Sequence, residues 1–178
     1  ELGRYRMRGF SMFKKLPGWD DLIFLPGTLT RFVIEGYREE CDTKTVLGGY
    51  SQGAAVISYV TQDTIPPGFT LPPGITGPMA PEIANHVAAV ALFGKPSNGF
   101  LTFLVRDAPP VTVGPLYAGK TIEQCIPTDP ICSPSGNDNA AHGAYIVDGM
   151  TDQAADFAAR LVASKTAHNP VELSGQHS

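Results

Sequence analysis

The sequence predicts an α/β fold, a mostly parallel central sheet flanked by helices. Three observations predict it. Short β-like runs alternate with helical runs along the chain, a pattern that sets parallel strands beneath crossover helices. The run from Val87 to Phe93 is continuously apolar, as a strand covered on both faces must be. Hydrophobic residues make up 43% of the 178, enough for a core of ordinary size, so residues 1–178 are expected to form a single domain.

Taken in order, residues 1–20 carry Arg4, Arg6, Arg8, Lys14 and Lys15 and read as a solvated, irregular arm. Asp21 to Leu25 reads as a short strand closed by Pro26-Gly27. Leu29, Phe32, Val33 and Tyr37 then follow helical spacing, which predicts a helix over 29–40. A β-like run from Thr43 to Leu47 leads into Gly48-Gly49-Tyr50-Ser51-Gln52-Gly53 and then the small, apolar stretch Ala54 to Val60: strand, tight turn, helix. Six prolines in 64–81 predict a long surface loop. A short helix at 81–86 should precede the buried strand. Residues 95–115, with Phe100, Phe103, Leu104 and Val105, suit either a binding-face loop or a packed segment. Leu116 to Glu123 reads as a strand interrupted by Gly119, and 125–142 as loop. Ala154, Phe157, Ala158 and Leu161 mark a closing helix, with Thr151 as its N-cap and Asp152 in its first turn. Residues 166–178 are polar and expected to be a flexible tail.

The net charge of −4 comes with no basic stripe, so nucleic acid is not an expected partner. No apolar run approaches the ~20 residues of a membrane span, so no stable membrane insertion is expected. Of the three cysteines, Cys125 and Cys132 lie close together with Pro127 and Pro130 between them, which reads as a tight loop closed by a disulfide. Metal binding is the competing reading, but the cysteines and the four scattered histidines have no zinc spacing. Neither metal nor organic cofactor is expected. Cys41 is left unpaired. The opening Glu1-Leu2-Gly3-Arg4 is followed by no apolar leader, so a bridged loop implies an N-terminus that is processed or missing.

Chemistry concentrates at Gly49-Tyr50-Ser51-Gln52-Gly53, which fits the G-x-S-x-G turn that exposes a nucleophilic serine between a strand and a helix. Small flanking residues let such a turn close. The following helix aims its N-terminus at the serine, and the N–H of Gln52 is the natural first donor to an oxyanion. A serine nucleophile needs a base, and the base needs a carboxylate. In this kind of fold both follow the serine in the chain. Among the later histidines, His86 reads as a packing residue, while His168 and His177 lie in the polar tail. His142 sits in a glycine-rich loop after all the strands, where a base belongs. Asp129 and Asp138 compete for the acid. Asp138 is nearer His142 in sequence, whereas Asp129 lies inside the bridged loop that would hold it still.

Three segments resemble the cutinases. Val46 to Val56 is similar to their nucleophile segment. Cys125 to Cys132, with His142 thirteen residues after Asp129, resembles their acid–base segment, and Val87 to Gly94 the strand before it. The likeness covers roughly 41–162, and the Pro-rich insert and Gly136 to His142 look most like the cutinase-like proteins of mycobacteria and related actinobacteria. The resemblance implies a small, lidless, secreted serine hydrolase of carboxylic esters, from short acyl esters to lipids and polyesters, and it selects Asp129 over Asp138; a small-molecule or lipid ester is the expected partner and a monomer the expected state. It also implies an opening strand with an early cysteine bridged to the position of Cys41. No cysteine precedes Cys41, so residues 1–40 are expected to be a divergent or truncated version of that portion. Asp21 to Thr28 is similar to the opening strand, which would make Thr28 the second oxyanion residue.

Two other functions compete. A cutinase-like remnant that binds lipid or a surface with little turnover would follow from an incomplete oxyanion site. An intracellular thioesterase would need Cys125 and Cys132 reduced.

Overall fold

A computed structural model of the chain describes residues 44–66, 71 and 75–166. The expected arm, the strand at 21–25, the helix over 29–40, Thr28, Cys41 and the tail beyond 166 lie outside these residues.

Three parallel strands form one sheet: β1 (Thr45–Tyr50), β2 (Val87–Phe93) and β3 (Thr121–Gln124), in the order β1-β2-β3. The continuously apolar run is the middle strand, buried along nearly its whole length. β1 alternates instead, with Leu47 and Gly49 inward. Pairing runs Thr45 to Val87 and then Val46 to Ala89, so Ala88 is an extra residue on β2. Such a bulge reverses the alternation of faces. Val87 therefore shares a core with Val90 and Leu92 although an odd number of positions separates them.

Helix α1 (Gln52–Val60) crosses from β1 and presents two apolar sides. Ala54 and Ile57 pack with Leu47, Val90 and Leu92. Ala55 and Val56 pack with Leu101 and Val111. The buried hydroxyl of Ser58 donates to the Ala54 carbonyl at 2.8 Å, so it enters this core without an unmet hydrogen bond. The described parts of 64–80 hold no helix or strand, and α2 (Ile83–His86) delivers the chain into β2.

Three local expectations change. Residues 95–115 contain a helix, α3 (Asn98–Leu104), because the Ser97 side chain caps it by accepting from the Phe100 N–H at 3.1 Å. Leu101 is its buried anchor, and Phe103 and Leu104 remain exposed. Leu116 to Ala118 is not strand. Pro115 sits at the first position of the short helix α4 (Pro115–Ala118), where its locked φ favours a helical turn, and β3 starts only at Thr121. In the last helix, α5 (Met150–Thr166), Thr151 is inside rather than at the cap. Gly149, at φ 72°, turns the chain, and its carbonyl accepts from the Gln153 N–H at 3.1 Å. Asp152 does lie in the first turn.

α5 packs on β2 and β3, away from the α1 core. Phe93 and Met150 belong to a separate cluster with Ile126, Ala141 and Tyr145. The sheet is thus covered on both faces, and this third cluster draws Ile126, Ala141 and Tyr145 from the irregular segment 125–145.

Candidate active site

Ser51 follows the last residue of β1 and precedes the first of α1. It is the only non-glycine among the described residues with positive φ, at φ 54° and ψ −122°. A side chain held there stores strain on the order of 1–3 kcal/mol, which the surroundings must hold in place. Its N–H donates to the Phe93 carbonyl at 2.8 Å, and its own carbonyl accepts from the Ala54 and Ala55 N–H groups. Gly49 lets the turn close. A Cβ there would lie 2.7 Å from the Gly53 carbonyl oxygen and 2.8 Å from Ala54 backbone. At Gly53 the expected crowding is absent, since beyond its chain neighbours and its own helix backbone no described atom lies within 4 Å of an added Cβ. Gln52 is the first residue of α1, next to the serine.

The other side of the site has no regular element except a short 3-10 turn, Ala141–Gly143. Cys125 and Cys132 are bridged, and Asp129 lies within the closed loop. The Asp129 backbone is held at both ends, its N–H to the Ile126 carbonyl and its carbonyl from the Ser133 N–H, each at 2.9 Å. Gly136 passes so close that an added Cβ would sit 2.4 Å from the Asp129 carbonyl.

The Asp129 side chain is fully buried. Its Oδ1 accepts from the Ile131 N–H at 2.9 Å. Its Oδ2 lies 2.7 Å from His142 Nδ1 and accepts from the Tyr145 hydroxyl at 2.6 Å. The other ring nitrogen of His142, Nε2, lies 2.9 Å from Ser51 Oγ. Burial works against the Asp129 charge. The hydrogen bonds from Tyr145, His142 and Ile131, with the nearby imidazole, outweigh it and hold the carboxyl below its ordinary range. Burial first, and then the hydrogen bond to Asp129, pushes the Tyr145 phenol well above its ordinary value, so it is a donor at any physiological pH.

Tyr50 closes the histidine from the β1 side. Its ring stacks on the imidazole with centroids 4.9 Å apart, and its hydroxyl donates to the His142 carbonyl at 2.6 Å. Burial and the Asp129 charge raise its pKa. Gly94, at φ 55°, ends β2 beneath the same ring. A Cβ there would meet His142 Cε1 at 2.9 Å and the Tyr145 hydroxyl at 3.0 Å.

Ser51, His142 and Asp129 are therefore brought together, and the competing candidates are not. The Asp138 carboxylate accepts from the Ala140 N–H at 2.9 Å, bending the chain just ahead of His142. His86 precedes the first residue of β2, whereas Ser51 follows the last residue of β1, so they sit at opposite ends of the parallel pair. Among the described residues, the His86 Nδ1 is buried without a hydrogen-bond partner. His168 and His177 lie outside the described residues.

Sequence reasoning missed Tyr145, Tyr50 and Gly94. Tyr50 occupies a variable position of the elbow motif, and Tyr145 reaches an acid 16 residues earlier, so local patterning marks neither. Gly94 had a signal in the abrupt end of the apolar run.

A parallel sheet with a strained serine between a strand and a helix, and an acid and a base arriving later in the chain, is the α/β-hydrolase architecture. Within that class the chain belongs to the cutinase family, whose model matches residues 29–162. It is 56% identical over 117 residues to a Mycobacterium tuberculosis protein named "Probable carboxylesterase Culp5", covering 66% of this chain and 64% of that protein. It is 54% identical over 117 residues to "Probable carboxylesterase Culp7" of the same organism, covering 66% and 60%. The chain thus spans less than two thirds of the length of both. The catalytic core domain of acetyl xylan esterase from Trichoderma reesei superposes with a TM-score of 0.57 at 25% identity, covering 76% of this chain and 68% of that one. Among the described residues, no helix is long and apolar enough to cross a membrane.

Proposed function

We propose that the chain hydrolyses carboxylic esters through an acyl-enzyme, with Ser51 as nucleophile, His142 as general base and then acid, and Asp129 as the orienting acid. The contacts from Asp129 Oδ2 through His142 to Ser51 Oγ, at 2.7 and 2.9 Å, carry this reading.

Ser51 Oγ attacks the acyl carbon while His142 Nε2 takes its proton. Asp129 fixes the ring with Nδ1–H toward itself and stabilises the imidazolium. The carbonyl oxygen gains negative charge at the N-terminus of α1, where the Gln52 N–H is the proposed first donor. Collapse of this intermediate expels the alcohol, which takes the proton from His142 and leaves an acyl-Ser51 ester. Water then attacks that ester, with His142 again the base, and the acid and free serine are released. Thr28 is the proposed second oxyanion residue.

Short acyl esters are the proposed first substrates, with lipids and polyesters as the wider class. Family membership and the names of the relatives support ester chemistry. The disulfide around Asp129 supports a secreted chain, since such bridges persist in oxidising compartments.

The test is turnover of p-nitrophenyl esters of graded acyl length, with Ser51→Ala as the paired variant. The expected loss in kcat is about 10⁴–10⁶-fold. Equal turnover by Ser51→Ala would end the reading.

A further inference from the structure

Asp129 Oδ2 has two donors. Besides His142 Nδ1 at 2.7 Å, the Tyr145 hydroxyl donates to it at 2.6 Å, a length typical of a hydroxyl on an ionised carboxylate. The Tyr145 side chain is only 4% exposed, packed with Ile126 and Ala141, so it is out of reach of substrate. Its ring stands edge-on to the imidazole, with centroids 6.4 Å apart and planes at 87°. A phenol placed there cannot take part in the chemistry directly. It can set how much of the carboxylate's charge is available to the imidazolium.

We infer that Tyr145 is a positioning residue that shares Asp129 Oδ2 with His142, fixing the carboxylate's rotation and drawing off part of its charge. The inference rests on the triad proposed above. Among the described residues, the groups that face the acid–base pair are Tyr145 edge-on to the ring, Tyr50 stacked on it, Ser51 at Nε2, the Ile131 N–H at Oδ1 and the bridged Cys132 Sγ 3.5 Å from Oδ2. None of these is a carboxylate or ammonium, and the bridged sulfur carries no proton, so among the described residues the Tyr145 donor is the main side-chain influence on the pair besides its own members.

Loss of that donor leaves the carboxylate a stronger partner for the imidazolium. The pair then keeps its proton to higher pH, and its titration is a property of both groups together. In Tyr145→Phe the acid limb of kcat/KM should move up by roughly half a pH unit to one unit, and the plateau kcat should fall about 3–10-fold with KM unchanged. The downfield proton resonance of His142 Nδ1 should move in the same variant, a readout that needs no turnover. If Tyr145→Phe does not fold, a ring-fluorinated tyrosine at 145 keeps the shape but donates more strongly, and the acid limb should move down.

An acid limb and an Nδ1 proton both unchanged would overturn the inference, even with kcat lowered, because packing alone would explain the loss. A moved Nδ1 proton in a chain without Ser51-dependent turnover would uphold the inference while ending the esterase reading.

Discussion

The two halves of the site are built by different means. Ser51 is placed by repeating backbone structure: β1 delivers it, α1 carries it away, and the Phe93 carbonyl of β2 takes its N–H. Asp129 and His142 lie on a segment with almost no repeating structure, fastened by a disulfide, a close glycine and two tyrosine hydroxyls. A nucleophile held in a strained conformation needs the stiffness of a sheet and helix. An acid and a base that arrive on loops need individual ties instead, each removable without unfolding the sheet. The nucleophile side should therefore respond to substitution by folding or failing, and the acid–base side by graded loss.

The sharpest break in that comparison is Asp129→Asn. Under the proposed function it removes the group that sets the histidine's tautomer while leaving the shape, so kcat should fall about 10⁴-fold, and the thermal midpoint at neutral pH should fall modestly because the paired carboxylate no longer contributes. Stopped-flow or burst kinetics beside a melting curve would check both halves of the statement. The wild-type carboxyl should also govern acid stability. Its folded pKa is depressed, so its contribution is fully present above the ordinary Asp value of about 3.9 and is lost as pH falls through the lower folded value. Acid unfolding followed by circular dichroism should therefore flatten below pH ~4 in the Asn variant.

Gly94→Ala comes next, because it joins the two halves. Its Cβ would press on the imidazole from β2, at a backbone φ that disfavours a side chain. An ångström of displacement at a reacting group is worth about 10²-fold in kcat, and the strained φ adds roughly 1 kcal/mol of destabilisation. A variant with wild-type kcat would show that the acid–base loop moves as freely as its lack of regular structure suggests.

Paired replacement of Cys125 and Cys132 by serine should act more on stability than on rate. Closing so short a loop contributes about 2–3 kcal/mol in the chain-entropy model. Chemical denaturation measures that term, and a kcat loss of no more than about tenfold is expected while the Asp129 hydrogen bonds survive. The smallest effect belongs to Tyr50→Phe. It removes one hydrogen bond to the His142 carbonyl and keeps the stacked ring, so a two- to fivefold loss in kcat is expected, equivalent to about 0.5–1 kcal/mol.

The same contrast explains what could be read in the sequence. The elbow is legible because strand, turn and helix are encoded by adjacent residues, and Gly49 is required by its neighbours a few positions on. β2 is legible because a strand covered on both faces has nowhere to place a polar residue. The bridged pair Cys125 and Cys132 marks where an acid would be held. Tyr145 is not legible, because its role depends on a carboxylate brought to it by the fold. The stretch from Asn98 to Ala118 misleads because single residues decide it: Ser97 caps one helix and Pro115 starts another, against apolar patterning that suits loop or strand equally. Gly149 outranks Thr151 at the start of α5 because the entering chain needs positive φ there.

The bridge around Asp129 also orders events in time. Under the proposed function, a newly made chain can form its elbow as soon as β1 and α1 meet β2, since that needs only backbone pairing and apolar contact. The acid gains its covalent tie only after Cys125 and Cys132 are oxidised, in addition to the hydrogen bonds that hold its backbone and carboxylate. Serine reactivity would thus mature in two stages, and a chain kept in reducing surroundings would carry a formed nucleophile with a loosely seated acid. Oxidation would then add mainly to stability, with at most about a tenfold gain in ester cleavage, and only where thiols no longer persist.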